Sequence, residues 1–76
     1  MNHAKTLSSC EENKEYEIFE IDTGSDIEME NFLFTLGCYK GQKITVISNL
    51  NKNYVMLVKD ARYSIDEELA NTIIVV

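Results

Sequence analysis

The sequence predicts a mainly β fold, a small and strongly bent sheet with one α-helix and one short helical turn. Four short segments rich in β-branched and aromatic residues follow Gly41, over residues 43–50, 54–59, 62–65 and 72–76. Helical spacing is confined to about residues 26–36. The 76 residues suffice for one domain, which at this size buries only about 60% of the surface that its unfolded chain exposes.

An earlier strand is predicted over residues 14–22, where Tyr16 and Ile18 alternate with charged residues. The next apolar residues, Phe19 and Ile21, occupy odd-numbered positions, whereas Tyr16 and Ile18 occupy even-numbered ones. We therefore expect either a β-bulge or a strand that is buried on both faces. Leu7 is expected to begin a shorter strand before it, with residues 11–14 as the connecting turn. Residues 1–5 are predicted to form a flexible tail and residues 6–76 a single domain.

The helix carries the clearest local signals. Ser25 is predicted as its N-cap, and Glu28, three residues later, as the second half of a capping box. Gly37 is expected to end the helix, and Gly41 to shape the start of the next strand, because glycine adopts left-handed backbone conformations at little cost. The apolar stripe of the helix recurs at i, i+3, i+4 and i+7: Met29, Phe32, Leu33 and Leu36.

Turn residues separate the later strands. Residues 51–53 predict a three-residue hairpin loop, residues 60–61 a second tight turn, and residues 66–70 a single helical turn with acidic residues at its start. Five or six short strands would leave exposed edges in a chain of this length. Closing them into an SH3-like small barrel removes those edges, so this barrel is the predicted architecture.

The net charge and the short apolar runs of the sequence exclude some classes of partner. Seven basic and thirteen acidic residues give a net charge of −6, which repels nucleic acid and anionic lipid and favours basic protein surfaces or metal cations. The longest apolar runs, over residues 54–58 and 73–76, fall far short of the ~20 residues of a spanning helix. The first residues lack the apolar core of a signal peptide, so we expect a cytoplasmic protein without membrane insertion.

We expect no enzymatic activity and no catalytic residue. The single histidine, His3, lies in the predicted tail, and no nucleophile–base or phosphate-loop pattern accompanies it. Gly37 and Gly41 run from helix to strand, the opposite order to a phosphate-binding loop. Cys10 and Cys38 are too far apart for a CxxC motif; Cys10 is expected in the core and Cys38 to be partly exposed.

We predict no metal site and no cofactor. The candidate ligands are Asp22, Asp26 and Glu30, since Asp26 and Glu30 lie one helical turn apart and a ferrous site takes carboxylates. A solvated acidic helix face also explains these residues, and it is the explanation that we expect.

A second apolar pair on the helix has two explanations. Ile27 and Phe34 point away from the apolar stripe. Either the N-terminal strand covers them, which we expect and which predicts a loss of ~3 kcal/mol for Phe34→Ala, or they form a partner-binding patch with Tyr39 and Lys40.

The order of these features along residues 5–76 resembles the ferrous-iron transport protein A (FeoA) family. The resemblance implies an SH3-like barrel, also similar to the C-terminal domain of iron- and manganese-responsive repressors. It further implies a cytosolic accessory or regulatory role through contact with a membrane ferrous-iron permease that carries a G domain, with at most weak transition-metal binding. The matching residues are Leu36-Gly37, Gly41, Ile44 with Val46, Tyr54 to Val58, Arg62-Tyr63-Ser64-Ile65, Ala70, and Ile73 with Val75.

The helix departs from the family. Family helices often carry arginines before the Leu-Gly, where this sequence has Asp26, Glu28 and Glu30, so a partner of that face must differ in charge. Two alternatives stay open. One is a stand-alone SH3-like adaptor or homo-oligomer unrelated to iron, with Tyr39, Tyr54 and Tyr63 available for a groove. The other is a weak Fe(II)-binding protein.

Overall fold

The computed structural model describes residues 4–76. The elements in chain order are β1 (Lys5–Thr6), a 3₁₀ helix (Leu7–Ser9), β2 (Glu15–Ile21), α1 (Ile27–Thr35), β3 (Lys43–Leu50), β4 (Asn53–Val58), β5 (Ala61–Asp66), α2 (Glu67–Ala70) and β6 (Ile73–Val75). The predicted mainly β fold with one helix and a short helical turn is confirmed.

The N-terminal segment differs from its prediction. Lys5 pairs with Val75 in β1, so the folded domain begins at least one residue before the predicted boundary. Residues 1–3 of the predicted tail lie outside the described residues. Leu7 lies in the 3₁₀ helix and not in a strand, and its side chain is fully buried.

All strand pairs are antiparallel, in the order β1-β6-β2-β3-β4-β5. β2 bends the sheet, because its first half pairs with β3 and its second half with β6. α2 contacts β5, β4 and the 3₁₀ helix that follows β1.

A β-bulge lies in the middle of β2. Ile18 pairs with Val75 and Glu20 with Ile74, which leaves Phe19 as the extra residue. Ile18 is fully buried, whereas Phe19 is 45% exposed. The bulge predicted from the change in parity is therefore confirmed, and the alternative of a strand buried on both faces is wrong.

The core fills the space inside the bent sheet. β3 contributes Ile44 and Val46, and β4 contributes Tyr54, Met56 and Val58, each pointing inward at alternate positions. Of the predicted helical stripe only Leu33 is fully buried, while Phe32 is 48% exposed. The stripe is narrower than predicted because α1 packs on the barrel through a small contact around Leu33.

Both hairpin loops contain two residues. Asn51 and Lys52 have φ of 52° and 63°, and Lys59 and Asp60 have φ of 51° and 65°. Two consecutive positive φ values match the twist of the flanking strands in a two-residue hairpin. The predicted three-residue loop at 51–53 and the turn at 60–61 are therefore wrong by one residue each, because Asn53 and Ala61 already pair within strands.

The N-terminus of α1 differs from the predicted capping box. Asp26 is the N-cap, and its Oδ1 accepts a hydrogen bond from the Met29 backbone N–H at 3.0 Å. Ser25 has φ of 84°, outside the extended conformation of an N-cap, so Glu28 does not occupy the position that would complete a box. At α2, Asp66 caps the predicted helical turn through Leu69 N–H at 2.9 Å.

Within residues 4–76, every helix is too short or too polar to cross a membrane.

Candidate partner-binding groove

The end of α1 is a Schellman motif. The Gly37 N–H donates to the Phe34 carbonyl and the Cys38 N–H to the Leu33 carbonyl, each at 2.9 Å. Gly37 adopts φ of 95°, which an L residue rarely does. Leu33 and Cys38 are both fully buried, and this apolar contact across the motif fixes the direction in which the chain leaves the helix.

A second turn follows at residues 39–42. The Gln42 N–H donates to the Tyr39 carbonyl at 3.0 Å, with Gly41 at φ of 91°. The Gly41 N–H donates to the Ile18 carbonyl at 2.8 Å, and the Ile18 N–H donates to the Gln42 carbonyl at 2.9 Å. The turn is therefore hydrogen-bonded to β2 directly beside the Phe19 bulge.

These two turns and the bulge create a groove of about 270 Å³ between β2 and the end of α1. We call it the aromatic groove, and it is lined by Phe19, Glu20, Ile21, Glu30, Phe34, Tyr39 and Lys40. Phe19, Phe34 and Tyr39 keep between a third and a half of their side-chain surface exposed. Large aromatic side chains that stay exposed side by side are typical of interaction surfaces.

Two lysines contact the aromatic rings of the groove. Lys40 Nζ lies 5.6 Å from the centroid of the Phe19 ring, and Lys59 Nζ lies 4.6 Å from the centroid of the Tyr39 ring. Lys59 comes from the β4–β5 turn, and a Cβ built on Gly37 would lie 3.2 Å from its Cδ. The lysine stems and the Schellman motif thus hold the Tyr39 side of the groove in place.

The FeoA domain family model matches residues 5–76. This chain belongs to the FeoA domain family. A search of the curated proteins gave no match.

Solved structures similar to this FeoA-domain protein show the same fold. The iron uptake regulatory protein FeoA has a TM-score of 0.86 at 20% identity, over 99% of this chain and 97% of that one. The Stenotrophomonas maltophilia FeoA complexed with zinc, described as a prokaryotic SH3 domain protein, has a TM-score of 0.83 at 17% identity, over 93% of this chain and 88% of that one. The predicted SH3-like fold is confirmed.

A manganese-dependent transcriptional repressor is also similar, with a TM-score of 0.89 at 17% identity. The match covers 100% of this chain and 42% of the repressor. The fold of this FeoA-domain protein therefore occurs both alone and as part of a longer metal-responsive protein.

Three of the four residues predicted to bind a partner meet in the groove. Phe34, Tyr39 and Lys40 line it, whereas Ile27 lies outside its lining and is 69% exposed. The expectation that the protein's own N-terminal strand covers Phe34 and Ile27 is wrong, because β1 pairs with β6 and Phe34 remains 46% exposed.

Sequence reasoning missed Phe19 and Ile21 as groove residues. Their change of parity in β2 is the signal in the sequence, and it predicts a bulge but not a groove. Tyr54 lies in the core and Tyr63 packs against the core from a half-buried position, so the three tyrosines proposed for an adaptor groove do not line one surface.

The predicted metal candidates have other contacts. Asp26 caps α1, Asp22 Oδ1 accepts from the Gly24 N–H at 3.3 Å, and Glu30 lines the aromatic groove. Within the described part of the chain, no group of three or more His, Cys, Asp or Glu side chains is arranged to hold a metal ion. Weak transition-metal binding stays a prediction.

The two thiols occupy different environments. Cys38 is fully buried, which corrects the expectation of partial exposure, and burial raises the pKa of its thiol from 9.0 to about 11. The Schellman motif causes this burial, because it turns Cys38 back towards Leu33. Cys10 is half-buried against the core, and burial raises the pKa of its thiol against the opposing effect of Lys5 and Lys14.

Proposed function

We propose that this FeoA-domain protein is a small cytoplasmic accessory protein of ferrous-iron transport. It acts by binding a membrane ferrous-iron permease that carries a cytosolic G domain. Two similar proteins support the link to iron. One is described as an iron uptake regulatory protein, and the S. maltophilia FeoA is described as a candidate activating factor of bacterial ferrous-iron transport.

The aromatic groove is the observation that carries a contact mechanism. A domain of 76 residues has few large side chains to spare from its core, yet Phe19, Phe34 and Tyr39 stay exposed around one groove. Aromatic side chains dominate the binding energy of protein interfaces when a partner buries them.

Binding by contact is sufficient for regulation. A partner that binds one state of the permease better than another shifts the population towards that state. The groove lining of three aromatic rings, one isoleucine, one amine and two carboxylates suits such binding, and we propose a non-enzymatic role for it.

An amide-shift NMR titration tests the proposal. The ¹⁵N-labelled protein is titrated with the permease G domain, loaded with GDP or with a GTP analogue, and with the complete permease in nanodiscs. We expect shifts at Phe19, Ile21 and Phe34 and in the 37–41 turns with at least one of these samples. Shifts confined to surfaces away from the groove, or their absence with every sample, would contradict the proposal.

A further inference from the structure

Two carboxylates flank the apolar floor of the aromatic groove. Glu20 comes from β2 and Glu30 from α1, and both line the groove with Phe19, Ile21 and Phe34. The ion pairs formed among residues 4–76 are Lys14–Glu11 and Lys43–Glu17, so neither groove carboxylate forms an ion pair with a described lysine or arginine.

The helix that contributes Glu30 and Phe34 to the groove is acidic and carries no basic residue. α1 has Glu28 and Glu30 in its first turn and contains no basic residue, and Asp26 caps it. An anionic partner segment would be repelled by this helix, whereas a cation would find two carboxylates, Glu20 and Glu30, in the groove lining.

Two ammonium groups lie at the groove: Lys40 is the one cation among the described residues of its lining, and Lys59 Nζ lies 4.6 Å from the centroid of the Tyr39 ring. The Lys40 Nζ lies over the Phe19 ring at 5.6 Å, on the side of the 39–42 turn. Both ammonium groups lie over aromatic rings and neither forms an ion pair with Glu20 or Glu30, so the groove keeps two unpaired carboxylates on a chain of charge −6. These unpaired carboxylates favour a partner segment that carries a positive charge.

We infer that the aromatic groove binds a protein segment with apolar anchors for Phe19, Ile21 and Phe34 and at least one arginine or lysine that pairs with Glu20 and Glu30. The inference rests on the proposed function and specifies the chemistry of the partner. Apolar anchors supply the affinity, and the cation sets the orientation of the segment and excludes acidic segments.

Selection from a random peptide library tests the partner chemistry without assuming a permease sequence. A phage-displayed library of 16-residue peptides is selected on the whole immobilised protein. We expect enriched peptides that combine leucine or aromatic residues with arginine or lysine and bind the groove by NMR. Enrichment of neutral or acidic peptides, or no enrichment, would overturn the inference.

Charge variants give the matched control. Glu30→Gln removes one groove carboxylate and is expected to weaken binding of the selected peptide by about threefold or more at low salt, and by less at high salt. Glu28→Gln removes an acidic side chain of α1 that is not part of the groove lining, and it is expected to change the affinity less than about twofold. Equal effects of the two variants would overturn the inference, provided that both have the unfolding temperature of the parent.

The experiments distinguish failure of the proposed permease binding from failure of the inferred cationic partner segment. Permease binding through the groove by a neutral or acidic segment would overturn the cationic partner and leave the proposed function standing. Groove binding of cationic peptides without any permease binding would overturn the proposed function alone.

Discussion

The backbone N–H of Cys38 donates a hydrogen bond to the Leu33 carbonyl oxygen at 2.9 Å, and both side chains are fully buried. The segment that carries Tyr39 and Lys40 to the groove therefore starts from a fixed point in the core. Because the next turn is hydrogen-bonded to Ile18, the groove is supported at both ends of this segment.

The two glycines differ in their surroundings, which gives a test of the Schellman motif. Gly37→Ala and Gly41→Ala should each lose about 1 kcal/mol of stability, because φ values above 90° strain an alanine. Gly37→Ala should lose more, since its Cβ would lie 3.2 Å from Lys59 Cδ, whereas a Cβ on Gly41 meets no atom within 4 Å. Urea unfolding measures both. In a Lys59→Ala background the difference should shrink, and an unchanged difference would contradict this explanation.

The burial of α1 side chains predicts unequal effects of truncation. Leu33→Ala should lower the free energy of unfolding by ~3 kcal/mol because it leaves a cavity in the core. Phe34→Ala should cost about 1 kcal/mol or less, since nearly half of the ring is already exposed. Chemical denaturation of both variants checks this order, and a loss of ~3 kcal/mol for Phe34→Ala would instead restore the own-chain covering predicted from the sequence.

The cap of α1 predicts that alanine substitution at two adjacent residues has unequal effects on stability. Asp26→Ala should lose ~1 kcal/mol because the Met29 N–H then has no capping acceptor. Ser25→Ala should change stability little, whereas Ser25→Gly should stabilise the protein by several tenths of a kcal/mol, because φ of 84° suits glycine. Thermal unfolding of the three variants measures this, and a larger loss at Ser25→Ala than at Asp26→Ala would show that Ser25 is the cap.

The Cys38 thiol predicts a loss of stability in alkali. Its folded pKa is about 11 against 9.0 for an ordinary thiol, so between these values the unfolded chain releases the proton and the folded chain keeps it. The free energy of unfolding therefore falls as the pH rises from 9 to 11, by roughly 1–2 kcal/mol at pH 10.5. Cys38→Ala lacks this contribution while keeping all other titrating groups. Parallel stability curves of the parent and Cys38→Ala over this range would contradict the prediction.

Local patterns were sufficient to predict most elements of the fold. The strands after Gly41 follow from β-branched runs bounded by turn residues, and the bulge follows from the parity change at Phe19. Ser25 and Asp26 are both good capping residues, so the sequence alone could not choose between them. The φ of 84° at Ser25 decides, and it depends on the whole turn before the helix.

The groove could be predicted only in part. Phe34, Tyr39 and Lys40 lie within seven positions of each other, so their proximity along the chain suggests that they form a patch. Phe19 and Ile21 join them only because the 39–42 turn is hydrogen-bonded to Ile18, a long-range contact without a local signal. Whether the protein covers an apolar pair with its own chain is likewise decided by tertiary packing.

The most direct test of the account compares two phenylalanines of α1 in permease binding. Phe32 and Phe34 are 48% and 46% exposed, but only Phe34 lines the aromatic groove. The affinities of the parent, Phe34→Ser and Phe32→Ser for the complete permease are measured by isothermal titration calorimetry. We predict a loss of about tenfold or more for Phe34→Ser, equivalent to ~1.4 kcal/mol, and less than about twofold for Phe32→Ser. Equal losses, or a larger loss for Phe32→Ser, would contradict the assignment of the groove as the binding surface.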